Sequence, residues 1–415
     1  MQQRSDIRAQ SASIAIKADR TAKTRVKTLL LCFSHLRWDF VWQRPQHLLS
    51  RAARHFDVIV FEEPVIEGDV APHLTLASRP GGIRVAVPVL PHGMSPIEQI
   101  MAQRQLVERL IAGQASASRV FWYYTPMAMA FSGHIPADLT IYDNMDELAA
   151  FAGASPELLA QEGDLFARAD LVFTGGMSLY EAKRSRHPNV HAFPSSIDHQ
   201  HFAAGRNPAG ADPADQAGIA RPRLGFFGVI DERMDIDLVD RVAALRPDWQ
   251  LVMVGPHAKI DPVTLPRREN IHWLGSKTYA ELPRYLAGWD VGIMPFALNE
   301  ATRFISPTKT PEFLAAGVPV VSTAIRDVVR PYGEKGLVEI AASAEEMVAK
   351  AASLMARNRA PWLARVDRHL AAGSWDKTWN AMHLLIADGL GDPLDKSETG
   401  HARAGRPAFA TGSVE

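Results

Sequence analysis

The chain has 415 residues, a formal net charge of -1, 47% hydrophobic residues and one cysteine, Cys32. That length suggests about two to three domains of roughly 150 residues, with apolar content ample for sizeable cores. The near-zero charge gives no global argument for nucleic-acid binding, and one cysteine excludes an intramolecular disulfide framework or a cysteine-rich zinc site.

Residues 1–25 are basic and polar, lack the apolar core of a secretion signal, and are expected to be disordered. From residue 26 the run VKTLLLCF predicts a buried strand that takes in Cys32. A helix over Leu48–Arg54 and a strand over Asp57–Phe61 follow, which is a βαβ spacing. Further strands are predicted at Arg84–Val89, Arg119–Tyr124, Leu139–Tyr142, Asp170–Thr174 and Asn189–Phe193, with a helix over Pro156–Ala169. Residues 203–223, rich in Ala, Gly, Pro and Asp with little to bury, read as an interdomain linker. Alternation then resumes. Strands are predicted at Leu224–Gly228, Gln250–Val254, Ile271–Leu274, Val291–Met294, Val318–Ser322 and Val338–Ile340. Helices fit at Asp235–Ala244, Thr278–Ala287, Pro311–Ala316, Val328–Tyr332 and Ala344–Arg357. Residues 373–390 read as a closing helix and 391–415 as a polar, disordered tail. Two α/β halves with open parallel sheets place a ligand in the crevice outside the carboxyl ends of the strands. No stretch reaches the about 20 apolar residues of a membrane span.

Five loops carry chemistry-bearing side chains. In FFGVIDERMD, residues 226–235, Gly228 ends a strand and allows close backbone approach. Arg233, near a helix start, suits a diphosphate or is an ordinary solvent-facing arginine. Gly275 and Ser276 end another strand where backbone groups could read a flat base, while Thr278 and Glu281 fit a capping box. In IMPFALNEATRFISPTKT, residues 293–310, a polar loop leads through Thr308 to Lys309. A lysine there opposes the helix dipole unless an anion is bound. Glu312 either caps the helix or accepts hydrogen bonds from ribose hydroxyls. In the earlier half, SHLRWDFVWQRPQHLLSRAARHF gathers His35, Arg37, Trp38 and Arg44 after the first strand, a surface for a sugar or anion or simply a packed loop. His35 titrates near neutrality and is a candidate acid or base. Asp143 and Asp146 in YDNMDE cap a helix, bind acceptor hydroxyls or assist proton transfer. DNMD is not a DxD motif, so no metal is expected. HExxH, P-loop and GxSxG motifs are absent.

These residues resemble the GT-B glycosyltransferases, in particular the large retaining group of bacterial polysaccharide and glycolipid transferases. NIHWLGSKTYAELPRYLAGWDVGIMPF followed by SPTKTPEFLAAGVPVVST carries the resemblance, together with FSHLRWDFVWQRPQHLLSR. It implies an α/β GT-B architecture, with two Rossmann-like domains whose parallel sheets face across a cleft. The boundaries are 26–202 for an acceptor domain and 224–372 for a nucleotide-sugar domain, with 373–390 returning to the first. It implies a UDP- or GDP-sugar donor held by Gly228, Arg233, Gly275, Ser276, Asn299, Thr308, Lys309 and Glu312, the last on the ribose. Arg233, Lys309, His35 and Asp143 are the catalytic candidates. Arg37, Trp38, Arg44 and Asp146 are the acceptor-binding candidates. No cofactor or metal is implied beyond the donor substrate, and no nucleic-acid partner. The acceptor is a glycan or lipid-linked hydroxyl, and the location cytoplasmic with room for peripheral contact at the inner membrane. One position departs from the pattern. The second glutamate that the family places eight residues before the ribose-binding one is here Phe304, for which Glu300 or Asn299 is the nearest substitute. A nucleotide-sugar epimerase and a catalytically weak nucleotide-sugar-binding protein are the competing readings.

Overall fold

The computed structural model describes residues 27–116, 118–151, 153–207 and 212–391. The two expected tails fall outside them, save residue 391, as do residues 208–211 of the expected linker. The chain folds as two Rossmann-like α/β domains, each built on its own sheet.

The N-terminal sheet contains β1 (Leu29–Ser34), β2 (Asp57–Glu62), β3 (Val65–Ile66), β4 (His73–Arg79), β5 (Ile83–Leu90), β6 (Arg119–Tyr123), β7 (Leu139–Asn144), β8 (Leu171–Thr174) and β9 (Val190–Ala192). Its order is β3-β5-β2-β1-β6-β7-β8-β9. All these pairings are parallel, and β4 departs from the expected pattern by joining the β5 edge antiparallel. β1 is buried along its whole length, as a continuous apolar run in a sheet covered on both faces must be. The period of two sorts its side chains. Leu30 and Cys32 join Val58, Val60 and Trp122 on one face, covered by Trp375, Trp379, Met382 and Ile386 of the last helix, Trp375–Gly389. Leu29, Leu31 and Phe33 join Ile59, Phe61 and Phe121 on the other, under helices Pro96–Ala112 and Glu157–Arg168.

The C-terminal sheet contains β10 (Arg223–Phe227), β11 (Gln250–Val254), β12 (Ile271–Gly275), β13 (Val291–Met294), β14 (Val320–Ser322) and β15 (Glu339–Ile340), in the order β12-β11-β10-β13-β14-β15 and parallel throughout.

The structure differs from the sequence reading in several elements. Helix Pro96–Ala112 is one that apolar periodicity alone did not mark, because Ile97 and Met101 are exposed. Its start signal is local: Ser95 and Glu98 form a capping box with proline in the first turn. Helix Leu282–Ala287 starts later than Thr278, since the Glu281 carboxylate accepts from the Thr278 N–H (2.9 Å) and hydroxyl (2.6 Å) and closes a separate turn. The stretch expected to bury little, residues 203–223, holds helix Ala214–Ala217. Within it, buried Gln216 accepts from the Trp289 ring N–H (2.8 Å) and donates to the Tyr285 carbonyl (3.2 Å).

Candidate functional site

The C-terminal side of the cleft begins at three strand ends tied by backbone. Gly228, after β10, has φ +130, and Gly255, after β11, has φ +147, values open to glycine. The Gly228 N–H donates to the Val254 carbonyl and the Gly255 N–H to the Gly275 carbonyl, both at 2.9 Å. A Cβ on Gly255 would collide with the Gly228 carbonyl oxygen, and one on Gly228 with Cε of Lys309. The glycines thus leave a shallow floor against which the Lys309 side chain lies.

Above this floor starts helix Lys309–Ala315, whose cap position is Thr308. Glu312 is buried, and its carboxylate accepts no hydrogen bond among the described residues. Burial pushes its pKa up, Lys309 opposing. Burial pushes the Lys309 ammonium down, and the Arg233 guanidinium pushes it further the same way. Arg233 is held in place by Asp231, which accepts from Nε at 3.0 and 3.1 Å and from Nη2 at 2.6 Å. The same guanidinium stands 5.6 Å from the ring centre of Phe151 in the N-terminal domain. Two cations that repel each other, aimed at one wall, form a place where an anion relieves the repulsion.

Gly228, Arg233, Ser276, Thr308, Lys309 and Glu312 line one cavity together with Trp42 and Tyr279. Arg233, Thr308 and Lys309 also line its continuation, whose opposite wall has Gln43, Arg44, Asp146 and Ser195. Asp146 therefore faces the cations across the cleft, though burial raises its carboxyl pKa despite them. Gly275 stands at the end of β12 beside Ser276. Asn299 lies elsewhere: it is exposed, and its side chain accepts from the Thr302 N–H at 3.1 Å. Glu300 pairs with Arg303 at 3.4 Å near the surface. Neither replaces a carboxylate at Phe304.

The N-terminal candidates divide. Arg44 and Asp143 are 3% and 0% exposed and form a buried ion pair at 2.8 Å. Arg44 also donates to the Phe193 carbonyl at 2.6 Å. That pairing leaves Asp143 enclosed rather than aimed at the cleft. Arg37 pairs with Glu62 (3.1 Å) and donates to the carbonyls of Glu63 and Pro64. Trp38 is buried, its backbone N–H donating to the Glu62 carboxylate at 2.6 Å. His35 is pushed down to about 4 by burial and then by Lys259, so its imidazole is neutral at pH 7, and its Nδ1 is buried without a partner among the described residues.

Sequence reasoning missed the groups that close the cleft. Asp327 accepts from the Ser178 N–H at 3.1 Å and also from its hydroxyl. Arg326 and Arg330 pair with Glu181 at 2.6 and 2.7 Å. Ser195 donates to the Ser306 carbonyl at 2.5 Å. Asp231, two residues before Arg233, was visible in the quoted loop but carried no motif.

The sequence family described as glycosyl transferases group 1 matches residues 221–357. A Bacillus subtilis (strain 168) protein, TuaH, provisionally named a teichuronic acid biosynthesis glycosyltransferase, is 29% identical over 235 residues. That match spans 52% of this chain and 59% of TuaH, less than two thirds of the relative's length. Among solved structures, sucrose-phosphate synthase from Thermosynechococcus elongatus superposes with a TM-score of 0.62 at 14% identity, over 87% of this chain and 99% of that one. The α,α-trehalose-phosphate synthase of Burkholderia xenovorans, in complex with glucose-6-phosphate, gives 0.65 at 11% identity, over 87% and 99%. The chain has a GT-B-like glycosyltransferase fold. In this GT-B fold the matched residues 221–357 include Gly228, Arg233, Lys309 and Glu312. Among the described residues, no helix is long and apolar enough to cross a membrane. No group of three His, Cys, Asp or Glu among them could hold a metal ion.

Proposed function

We propose that the chain transfers a sugar from a UDP- or GDP-sugar to a hydroxyl of a glycan or lipid-linked acceptor in bacterial surface polysaccharide synthesis. The observation that carries this reading is the pair of cations, Lys309 and Arg233, on one cleft wall beside Gly228, with Glu312 one helical turn away. Glu312 accepts hydrogen bonds from the donor ribose. The glycine floor lets the diphosphate approach the backbone, and Lys309 and Arg233 meet its charge. Ser276, at the end of β12, stands at the base.

In the reaction the bond between the anomeric carbon and the diphosphate oxygen breaks. The acceptor oxygen bonds to that carbon, and its proton passes to the departing phosphate oxygen. Charge grows on the diphosphate as the bond breaks, so preorganised cations lower the barrier by about 3–4 kcal/mol for each well-placed donor. Transfer with retention needs no protein nucleophile, consistent with the enclosure of Asp143 by Arg44 and the low basicity of His35. The work takes place in the cytoplasm, and a lipid-linked acceptor is met at the membrane surface.

The absence of a carboxylate at Phe304 favours, as a second reading, a nucleotide-sugar-binding protein of low turnover. A donor screen by calorimetry combined with nucleoside-diphosphate release separates the two. Binding and release that are both lost in Glu312→Ala support the transferase. Binding without release for every donor and acceptor tried supports the second reading.

A further inference from the structure

Among the described residues, β4 (His73–Arg79) pairs with β5 along its whole length and with no other strand. Its other edge is open, and five of its seven residues are exposed. Natural sheets protect such an edge with charge, proline, a bulge or a covering element. Between its end residues β4 has none of these. Leu74–Ser78 reads LTLAS, and the register runs unbroken from His73 opposite Val89 to Arg79 opposite Ile83.

That register fixes which backbone groups point outward. In an antiparallel ladder, pairs that exchange both hydrogen bonds alternate with pairs that exchange none. Leu74 stands opposite Pro88, which has no N–H, so this pair exchanges none. His73, Thr75, Ala77 and Arg79 therefore bond to β5, while Leu74, Leu76 and Ser78 turn N–H and C=O away from it. Of these six groups only the Ser78 carbonyl has a partner among the described residues. It accepts from the Arg79 guanidinium at 3.1 Å and keeps a second lone pair.

The outward set is its own complement. Antiparallel pairing about a two-fold axis through Leu76 sets Leu76 against its own copy and Leu74 against Ser78, so each outward N–H meets an outward carbonyl. Moving the axis to Thr75 or Ala77 would bring Pro72 opposite Ser78 or Pro80 opposite Leu74, and neither proline has an N–H. The side chains agree with the same axis. Leu74 and Leu76 share the face under helix Pro96–Ala112, where Leu74 packs on Leu90, Ala102 and Leu106. Leu76 is 48% exposed and would be covered by its own copy. Thr75 falls opposite Ala77. His73 falls opposite Arg79, whose charge Asp39 neutralises through contacts at 2.9 and 2.5 Å.

We infer that β4 is a dimerisation edge, where two copies of this chain join their N-terminal sheets antiparallel about Leu76. Sedimentation equilibrium of the full chain from about 1 to about 100 µM is expected to show the mass rising from one chain towards two. Leu76→Pro removes an outward N–H and leaves the β5 ladder intact. Leu76→Lys sets two like charges face to face on the axis. Both variants are expected to stay single chains over the same range and to keep the wild-type circular dichroism. Opposed residues of a bonded pair stand about 5.5 Å apart at Cα, within reach of a disulfide. Leu76→Cys is therefore expected to give a linked pair under oxidised glutathione. Ser78→Cys, which faces Leu74 in this register, is not, and buried Cys32 does not compete. A single chain at every concentration overturns the inference. So does a pair that persists in both Leu76→Pro and Leu76→Lys, or Ser78→Cys linking as fast as Leu76→Cys.

Discussion

Buried Glu312 stands one helical turn from half-buried Lys309, and neither side chain makes a hydrogen bond among the described residues. Burial raises the Glu312 carboxyl from 4.5 to about 8. Lys309 faces it from the same helix, and Asp198 adds to the rise. A carboxyl whose folded pKa lies above its unfolded one binds more protons in the folded state between the two values. Its contribution to stability is therefore present in full below pH 4.5 and is lost as pH rises towards about 8. The melting temperature of the unliganded protein should fall across that window, by about 2–4 °C for each kcal/mol. Glu312→Gln should flatten this part of the profile. Identical slopes in the two proteins would show that Glu312 ionises normally. Measured above pH 8, where the Glu312 carboxyl is ionised, the same variant should bind UDP and GDP at least about tenfold more weakly, the loss of a hydrogen bond to a charged group.

Arg233 is oriented by a two-point contact with Asp231, and only a planar guanidinium can keep that contact while presenting nitrogen to the cleft. Arg233→Lys preserves the charge but not the fork. Turnover should drop by about 10²–10³, in the range seen for loss of one transition-state donor, with a smaller change in donor KM. Steady-state kinetics with the best donor of the screen makes the comparison. A KM effect with kcat intact would mean that Arg233 only binds the ground state.

The parallel sheets were legible because their strands hold short unbroken apolar runs such as LLLCF and LVMV, which only doubly covered sheets require. Gly228, Arg233, Thr308, Lys309 and Glu312 were legible as one loop cluster because the fold rule places strand ends together. The enclosure of Asp143 was not, since Arg44 is 99 residues away and a carboxylate at a strand end reads alike whether paired or free. The Asp327–Ser178 contact, at a separation of 149 residues, had no local signal either. Asn299 looked like a site residue because of its loop, and local capping of Thr302 took its side chain instead.

The Arg44–Asp143 pair makes a different expectation for its two residues than catalysis would. Asp143→Asn leaves a guanidinium buried without its counter-charge, at a cost of about 3–5 kcal/mol. Arg44→Met combined with Asp143→Leu removes both charges and should recover much of that loss. Chemical denaturation of the two variants measures it. Should Asp143→Asn keep wild-type stability while abolishing turnover, Asp143 belongs to the chemistry after all.

Asp327 comes from the C-terminal domain, whereas the Ser178 N–H and hydroxyl it engages belong to the N-terminal one. Gly228, Arg233, Lys309 and Glu312 all sit on the C-terminal side of the cleft. Weakening the contact between domains should therefore spare donor binding and impair the closed arrangement needed for transfer. A hydrogen bond to a charged group is worth about 1.5–3 kcal/mol, so Asp327→Ala should lower kcat by about tenfold or more with donor Kd nearly unchanged. Small-angle scattering should show a larger radius of gyration for the variant, and more so when Glu181→Ala removes the neighbouring ion pairs to Arg326 and Arg330. A variant with unaltered scattering and undiminished kcat would mean that closure is held by the remaining contacts alone, such as Ser195 on the Ser306 carbonyl.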